Sequence, residues 1–201
     1  MSYVDFTLES AYTAFGLELT EGDNLFADVQ EVSVSPLLKE TLDEYVPLAT
    51  AIHTEKARSE FIVAPILAEV RKRSNHQISL FSGIAFDVDK DRGLSGYCDF
   101  LLSRSPVQLF LQVPVMAVVE AKNDNIKGGL GQCVAEMVAA RIFNERSGYG
   151  PSTVFGAVTT GSVWKFLTLD GPAVRVDQAE YYLDRLGKIL GILMHCVEAT
   201  D

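Results

Sequence analysis

Apolar positions along the chain switch between two periods, and the switches mark out the elements. From Thr54 to Arg73 they recur at helical spacing, through Ala57, Phe61, Ala64, Leu67 and Ala68. Thr54 can cap this helix, and Pro65, in mid-pattern, is expected to kink it. The period then shortens. Gln77 to Val88 is rich in Ile, Leu, Phe and Val and ends at the turn Asp89-Lys90-Asp91-Arg92-Gly93, and Leu94 to Leu102 reads as the second strand of a hairpin. Val113 to Ala121 is almost unbroken in its hydrophobicity, as expected of a strand buried on both faces. Gly128-Gly129-Leu130-Gly131 reads as a turn leading into a helix from about Leu130 to Glu145, closed by Gly148-Tyr149-Gly150-Pro151. Thr153 to Thr159 and Val163 to Leu169 form two further strands around Thr160-Gly161-Ser162, and a last helix is expected from about Gln178 to Cys196.

The first fifty residues are less regular. Leu8 to Phe15 reads as a short helix and Gly22-Asp23-Asn24 as a turn. Ser35-Pro36 opens a second helix that should run to about Tyr45 and stop before Pro47. The whole predicts an α/β fold in which a central mixed sheet of about five strands is flanked by helices, in the order α-β-β-β-α-β-β-α. Residues 1–50 are expected as an N-terminal extension packed on or near a core domain of residues 51–201.

Charge sharpens that division. The formal net charge is -10, yet residues 1–50 hold ten acidic residues and one basic one, Lys39. The remaining chain holds 16 basic and 17 acidic residues, so it is near neutral and can carry local basic patches such as Arg71-Lys72-Arg73. The three cysteines, Cys98, Cys133 and Cys196, are far apart with no CxxC pair, which argues for small buried side chains rather than a disulfide framework or zinc site. No apolar run is long enough to span a bilayer, and the N-terminus lacks a basic residue ahead of an apolar stretch. A cytoplasmic protein without membrane contact is expected. His53, His76 and His195 form no metal spacing, and the glycine-rich stretch is not followed by Lys-Ser/Thr, so no nucleotide cofactor is expected.

The strongest anomaly is charge at the end of a buried strand. Val115-Met116-Ala117-Val118-Val119 runs directly into Glu120-Ala121-Lys122, and alternation places Glu120 and Lys122 on one face. Asp99 is similarly embedded in Gly96-Tyr97-Cys98-Asp99-Phe100-Leu101-Leu102. If the two strands pair, Asp99 and Glu120 converge. Two convergent carboxylates suit a hard divalent cation such as Mg2+, which can polarise a phosphodiester, with Lys122 placed to orient water or stabilise charge. From spacing alone, a structural ion pair between Lys122 and one of the acids fits equally well.

The ordered set of segments resembles the PD-(D/E)xK nuclease superfamily. It is similar in particular to the N-terminal nuclease domains of type I restriction enzyme R subunits. The resemblance is carried by Asp99 after Gly-Tyr-Cys, by Glu120-Ala-Lys122 at the end of an apolar strand, and by Gln132 on the following helix. It also rests on Thr54-Glu55-Lys56-Ala57-Arg58 ahead of Pro65, and on Thr160-Gly161 ahead of Trp164. It covers about Thr54 to Leu169 and implies a restriction-endonuclease-like fold. It implies Asp99 and Glu120 as metal ligands, the Ala121 carbonyl as a further one, Lys122 as the catalytic lysine and Gln132 near the scissile phosphate. A glutamate of the first core helix completes such sites; Glu55 and Glu60 are both candidates. Mg2+ is the implied cofactor, with Mn2+ as a substitute, and DNA the implied substrate, in a restriction or DNA-processing setting. A homodimer or a protein partner would supply specificity.

Cys98 stands where the family motif has proline. Glu136 stands four residues after the glutamine, where some members carry tyrosine, and on the same helix face its negative charge would repel DNA. The alternative expectation is a catalytically inactive, nuclease-fold interaction or regulatory protein that binds a partner through its acidic N-terminal segment.

Overall fold

The computed structural model describes residues 1–149 and 153–199. Helices α1 (Leu8–Phe15), α2 (Pro36–Ile52), α3 (Glu55–Arg58), α4 (Ala64–Arg73), α5 (Ile126–Arg146) and α6 (Leu186–Glu198) surround one mixed sheet. Its strands are β1 (Glu18–Glu21), β2 (Ser79–Ala85), β3 (Tyr97–Ser103), β4 (Val115–Ala121), β5 (Val154–Thr159), β6 (Val163–Asp170), β7 (Ala173–Val176) and β8 (Tyr181–Tyr182). The order across the sheet is β1-β7-β6-β5-β4-β3-β2, with β8 beside the start of β6. β4 and β5 are parallel and joined through α5; β2–β3, β3–β4 and β5–β6 are antiparallel. Among the described residues the sheet therefore has eight strands rather than about five. The five expected strands are contiguous, from the β2 edge to β6, and β7, β1 and β8 extend the sheet beyond β6.

Alternation along the central strands feeds two cores. Ala117, Val119, Phe155, Ala157, Trp164 and Phe166 pack with Ile62, Ile66 and Leu67 and with Ile189, Ile192 and Leu193 of α6. Val118, Val158 and Leu167 face the other way, onto Cys133, Val134 and Met137 of α5. A strand sealed on both faces has no polar side, which is why β4 reads as one apolar run. Among the described residues no helix is long and apolar enough to cross a membrane.

The N-terminal fifty residues are built into both layers. Tyr3, Phe6, Ala11 and Leu17 belong to the core under α5, and Phe26, Leu38, Leu42 and Ala49 to the opposite one. β1 pairs in parallel with β7. The Lys188 ammonium of α6 is buried and donates to the carbonyls of Phe26 (2.6 Å), Ala27 (3.1 Å) and Val29. Those bonds satisfy its charge and fasten the irregular segment that follows β1.

Several boundaries differ from the sequence expectation for identifiable reasons. α2 continues through Pro47 to Ile52. Pro47 cannot donate to the Asp43 carbonyl, but both residues are exposed, so water can take that carbonyl. The helix from Thr54 is continuous to Arg73 but widens to a π turn over Ser59–Val63, where the Ala64 amide donates five residues back to Ser59. Widening just ahead of Pro65 accommodates the ring and its missing donor. α5 starts at Ile126, capped by the Asn125 side chain, so Gly128, Gly129 and Gly131 lie within the helix rather than in a turn. The segment expected as the start of the last helix instead forms β8 and a short 3-10 turn, and α6 begins at Leu186. β2 ends at Ala85 rather than Val88, and Asp89 caps a 3-10 turn over Lys90–Arg92. Gly150 and Pro151, expected to close α5, lie outside the described residues.

Candidate functional site

The site forms where β3 and β4 end beside α5. In the β3–β4 register Phe100 faces Val119, which sets Asp99 opposite Glu120, so both acids project from the same face. Asp99 Oδ2 accepts the backbone amide of Ala121 at 2.8 Å, a bond that holds the carboxylate against the end of β4. Lys122 continues the alternation. Its backbone amide is tied to the Thr159 carbonyl of β5 (2.8 Å), and its Nζ lies 2.5 Å from Glu120 Oε1 and 3.2 Å from Gln132 Oε1. Gln132 Nε2 donates in turn to Glu136 Oε1 at 3.1 Å. Glu120, Lys122, Gln132 and Glu136 are thus one hydrogen-bonded row running from the strand end into the helix.

Close approach of α5 makes that row possible. A Cβ at Gly129 would lie 2.7 Å from Val158 and 3.1 Å from Cγ of Lys122. A Cβ at Gly131 would lie 2.3 Å from the Phe6 carbonyl oxygen. Glycine is required here for its size rather than for a turn. With the sheet on one side and the N-terminal segment on the other, α5 is buried without a break from Gly129 to Ala140. Glu136, expected on a DNA-facing surface, is therefore fully buried behind Gln132.

The electrostatics follow from this burial. Glu120 is 1% exposed, and burial together with the Asp99 charge pushes its carboxyl up to about 8, against the attraction of Lys122. Burial alone would lower the Lys122 ammonium. The charge and hydrogen bond of Glu120, then Glu55 and Asp99, outweigh it, and the net movement is upward. Glu136 is driven well above the ordinary carboxylate range by burial and then by Glu120. Among the described residues, Glu120 Oε2 and Glu136 Oε2 are buried with no hydrogen-bond partner. Burial likewise pushes the three cysteine thiols up, so none is a ready thiolate.

The two helical glutamates separate clearly. The charge of Glu55 is felt at both Glu120 and Lys122. Glu60 instead forms an exposed pair with Lys56 at 2.8 Å. Glu55 opens α3, which is anchored at the site by Arg58, a residue of the Thr54–Arg58 stretch to which the sequence pattern assigns no role. Arg58 is 8% exposed and donates to Asn123 Oδ1 (3.3 Å), just past β4, and to the Thr160 carbonyl (3.1 Å) in the β5–β6 turn. Its signal was positional: it lies four residues before Ile62, on the buried side of its helix.

Among the described residues, no three His, Cys, Asp or Glu side chains stand in a ready-made metal cluster. Asp99, Glu120, Ala121, Lys122 and Gln132 are brought together, Glu55 lies within electrostatic reach and Glu60 does not join them. A surface groove of about 760 Å³, lined by Thr7, Leu8, Tyr12, Asn125 and Lys127 among others, lies beside the cluster at the start of α5, not over it. His53 closes α2 in a left-handed conformation, and Trp164 is fully buried in the core, its indole donating to the Gly161 carbonyl. No protein-family model matches the chain, and a search of curated proteins finds no significant relative.

Proposed function

We propose that this chain is a divalent-metal-dependent nuclease of the PD-(D/E)xK kind, hydrolysing DNA phosphodiester bonds within a restriction or DNA-processing system. One observation carries the reading: two acids from adjacent strand ends share a face with a lysine, and the more buried acid keeps one carboxylate oxygen without a partner among the described residues. An orphaned buried oxygen of this kind costs stability unless it has a use. A divalent cation fits that donor set. Asp99 and Glu120 would hold it, with the Ala121 carbonyl and Glu55 completing the oxygen ligands, and Mg2+ is the matching ion with Mn2+ as its substitute. Such an ion supplies positive charge that polarises the phosphate and eases departure of the leaving oxygen.

The protein groups then have distinct tasks. The Lys122 ammonium, whose side chain is 20% exposed, can donate to the attacking water or to a non-bridging phosphate oxygen. The Lys122 amine donates to both Glu120 Oε1 and Gln132 Oε1, and the two acceptors keep it at the site. Asp99 Oδ2 accepts the Ala121 amide, which holds the carboxylate at the end of β4. Burial and Asp99 hold the carboxyl of Glu120 above its ordinary range despite Lys122, so a cation held there would bind in linkage with loss of that proton.

Calorimetric titration with Mn2+ tests the reading on wild type, Asp99→Asn and Glu120→Gln. Binding by wild type and its loss in both variants is expected, together with metal-dependent nicking of plasmid DNA by wild type alone. Wild type that neither binds Mn2+ nor cleaves in the presence of DNA refutes the proposal.

A further inference from the structure

The proposed chemistry leaves Glu136 without a task. It lies one turn of α5 beyond Gln132 and is fully buried. Its neighbours in the helix, Ala135 and Met137, are buried and apolar. Oε1 accepts from Gln132, while Oε2 has no partner among the described residues. A carboxyl in that setting is costly, and an apolar side chain of similar length would fill the space without an orphaned oxygen.

The bond to Gln132 explains its presence. A glutamine amide has two ends of similar shape and opposite hydrogen-bonding sense. By accepting from Nε2, Glu136 leaves only the carbonyl oxygen of Gln132 to face Lys122, which it meets at 3.2 Å. With no acceptor behind it, the amide can rotate and present N–H groups to the ammonium, a repulsive contact.

We propose that Glu136 is a positioning residue acting through Gln132: it fixes the amide so that its oxygen holds the Lys122 amine at the Asp99–Glu120 pair. The kinetic consequence rests on the nuclease reading; the geometric one does not.

The test uses the full chain, with Glu136→Met, Glu136→Gln and Glu136→Met on a Gln132→Ala background. NMR follows the Gln132 side-chain amide and the Lys122 amine, thermal unfolding gives stability, and Mn2+-dependent cleavage gives kcat and KM. In Glu136→Met, the Gln132 amide and Lys122 signals should shift and kcat should fall about tenfold with KM unchanged, as when a supporting residue behind a catalytic group is removed. Its Tm should be equal to or above wild type. Glu136→Gln keeps an acceptor and should restore both signals and rate. On the Gln132→Ala background, Glu136→Met should have no further effect on rate. Unshifted signals with an unchanged rate in Glu136→Met overturn the proposal, as does a Glu136→Met protein that is strongly destabilised, which marks a structural role. A wild type that cleaves nothing defeats the nuclease reading, and the NMR and stability arms then decide the positioning role alone.

Discussion

Glu120→Gln isolates the energetic strain of the site. Folding moves this carboxyl from its ordinary 4.5 to about 8. Between those values the folded protein holds a proton that the unfolded chain has lost, so stability is fully present below the lower value and declines as pH rises through the upper one. Each pH unit in that interval costs about 1.4 kcal/mol. Between pH 5.5 and 7.5 wild type should therefore lose about 3 kcal/mol that Glu120→Gln keeps. The attraction of Lys122 is already contained in that upper value, so the pH-dependent difference between the two proteins reports the net cost of ionising the buried carboxyl. Urea denaturation of both proteins in chelator, at pH 5.5, 6.5 and 7.5, measures the difference directly. A stability gap that does not change with pH would show that Glu120 ionises normally and that its burial does not dominate.

The same experiment carries a second arm. At pH 7.5, Mn2+ at about a hundredfold excess over its Kd should stabilise wild type by about 2.7 kcal/mol and leave Glu120→Gln unmoved. The carboxyl that weakens the metal-free fold is then the one that couples the fold to its cation. Equal stabilisation of both proteins would place the cation elsewhere.

Two further substitutions probe the frame of the site. Glu55→Gln, which removes the charge of one proposed ligand, should weaken Mn2+ affinity about tenfold, whereas Glu60→Gln should leave calorimetric binding unchanged; equal effects would remove the distinction between them. Gly131→Ala sets a methyl group 2.3 Å from the Phe6 carbonyl oxygen and 2.6 Å from the Leu8 nitrogen, both backbone, and should cost about 3 kcal/mol in urea denaturation. A near-neutral result would mean that the N-terminal segment moves freely off α5.

What the sequence disclosed, and what it hid, follows from the range of the forces involved. β4 was legible because burial on both faces removes every polar residue until the charges at its end, and those charges, Glu120 and Lys122, stood out for the same reason. β1 was not legible: Glu-Leu-Thr-Glu has almost wholly exposed side chains and is a strand through its pairing with β7, some 155 residues away. The glycines of α5 carry two opposite meanings in sequence, a break or a close approach, and only the position of Phe6 against Gly131 selects the second. Glu136 is the sharpest case. Helical spacing placed it correctly on the face of Gln132, but whether that face meets DNA or core depends on Tyr3 and Phe6, which reach it from the far end of the chain and close α5 on its outer side. The same contact reverses its chemistry. An exposed carboxylate there would repel a phosphate backbone, while a buried one, raised above its usual range, meets Gln132 instead and stands behind the lysine.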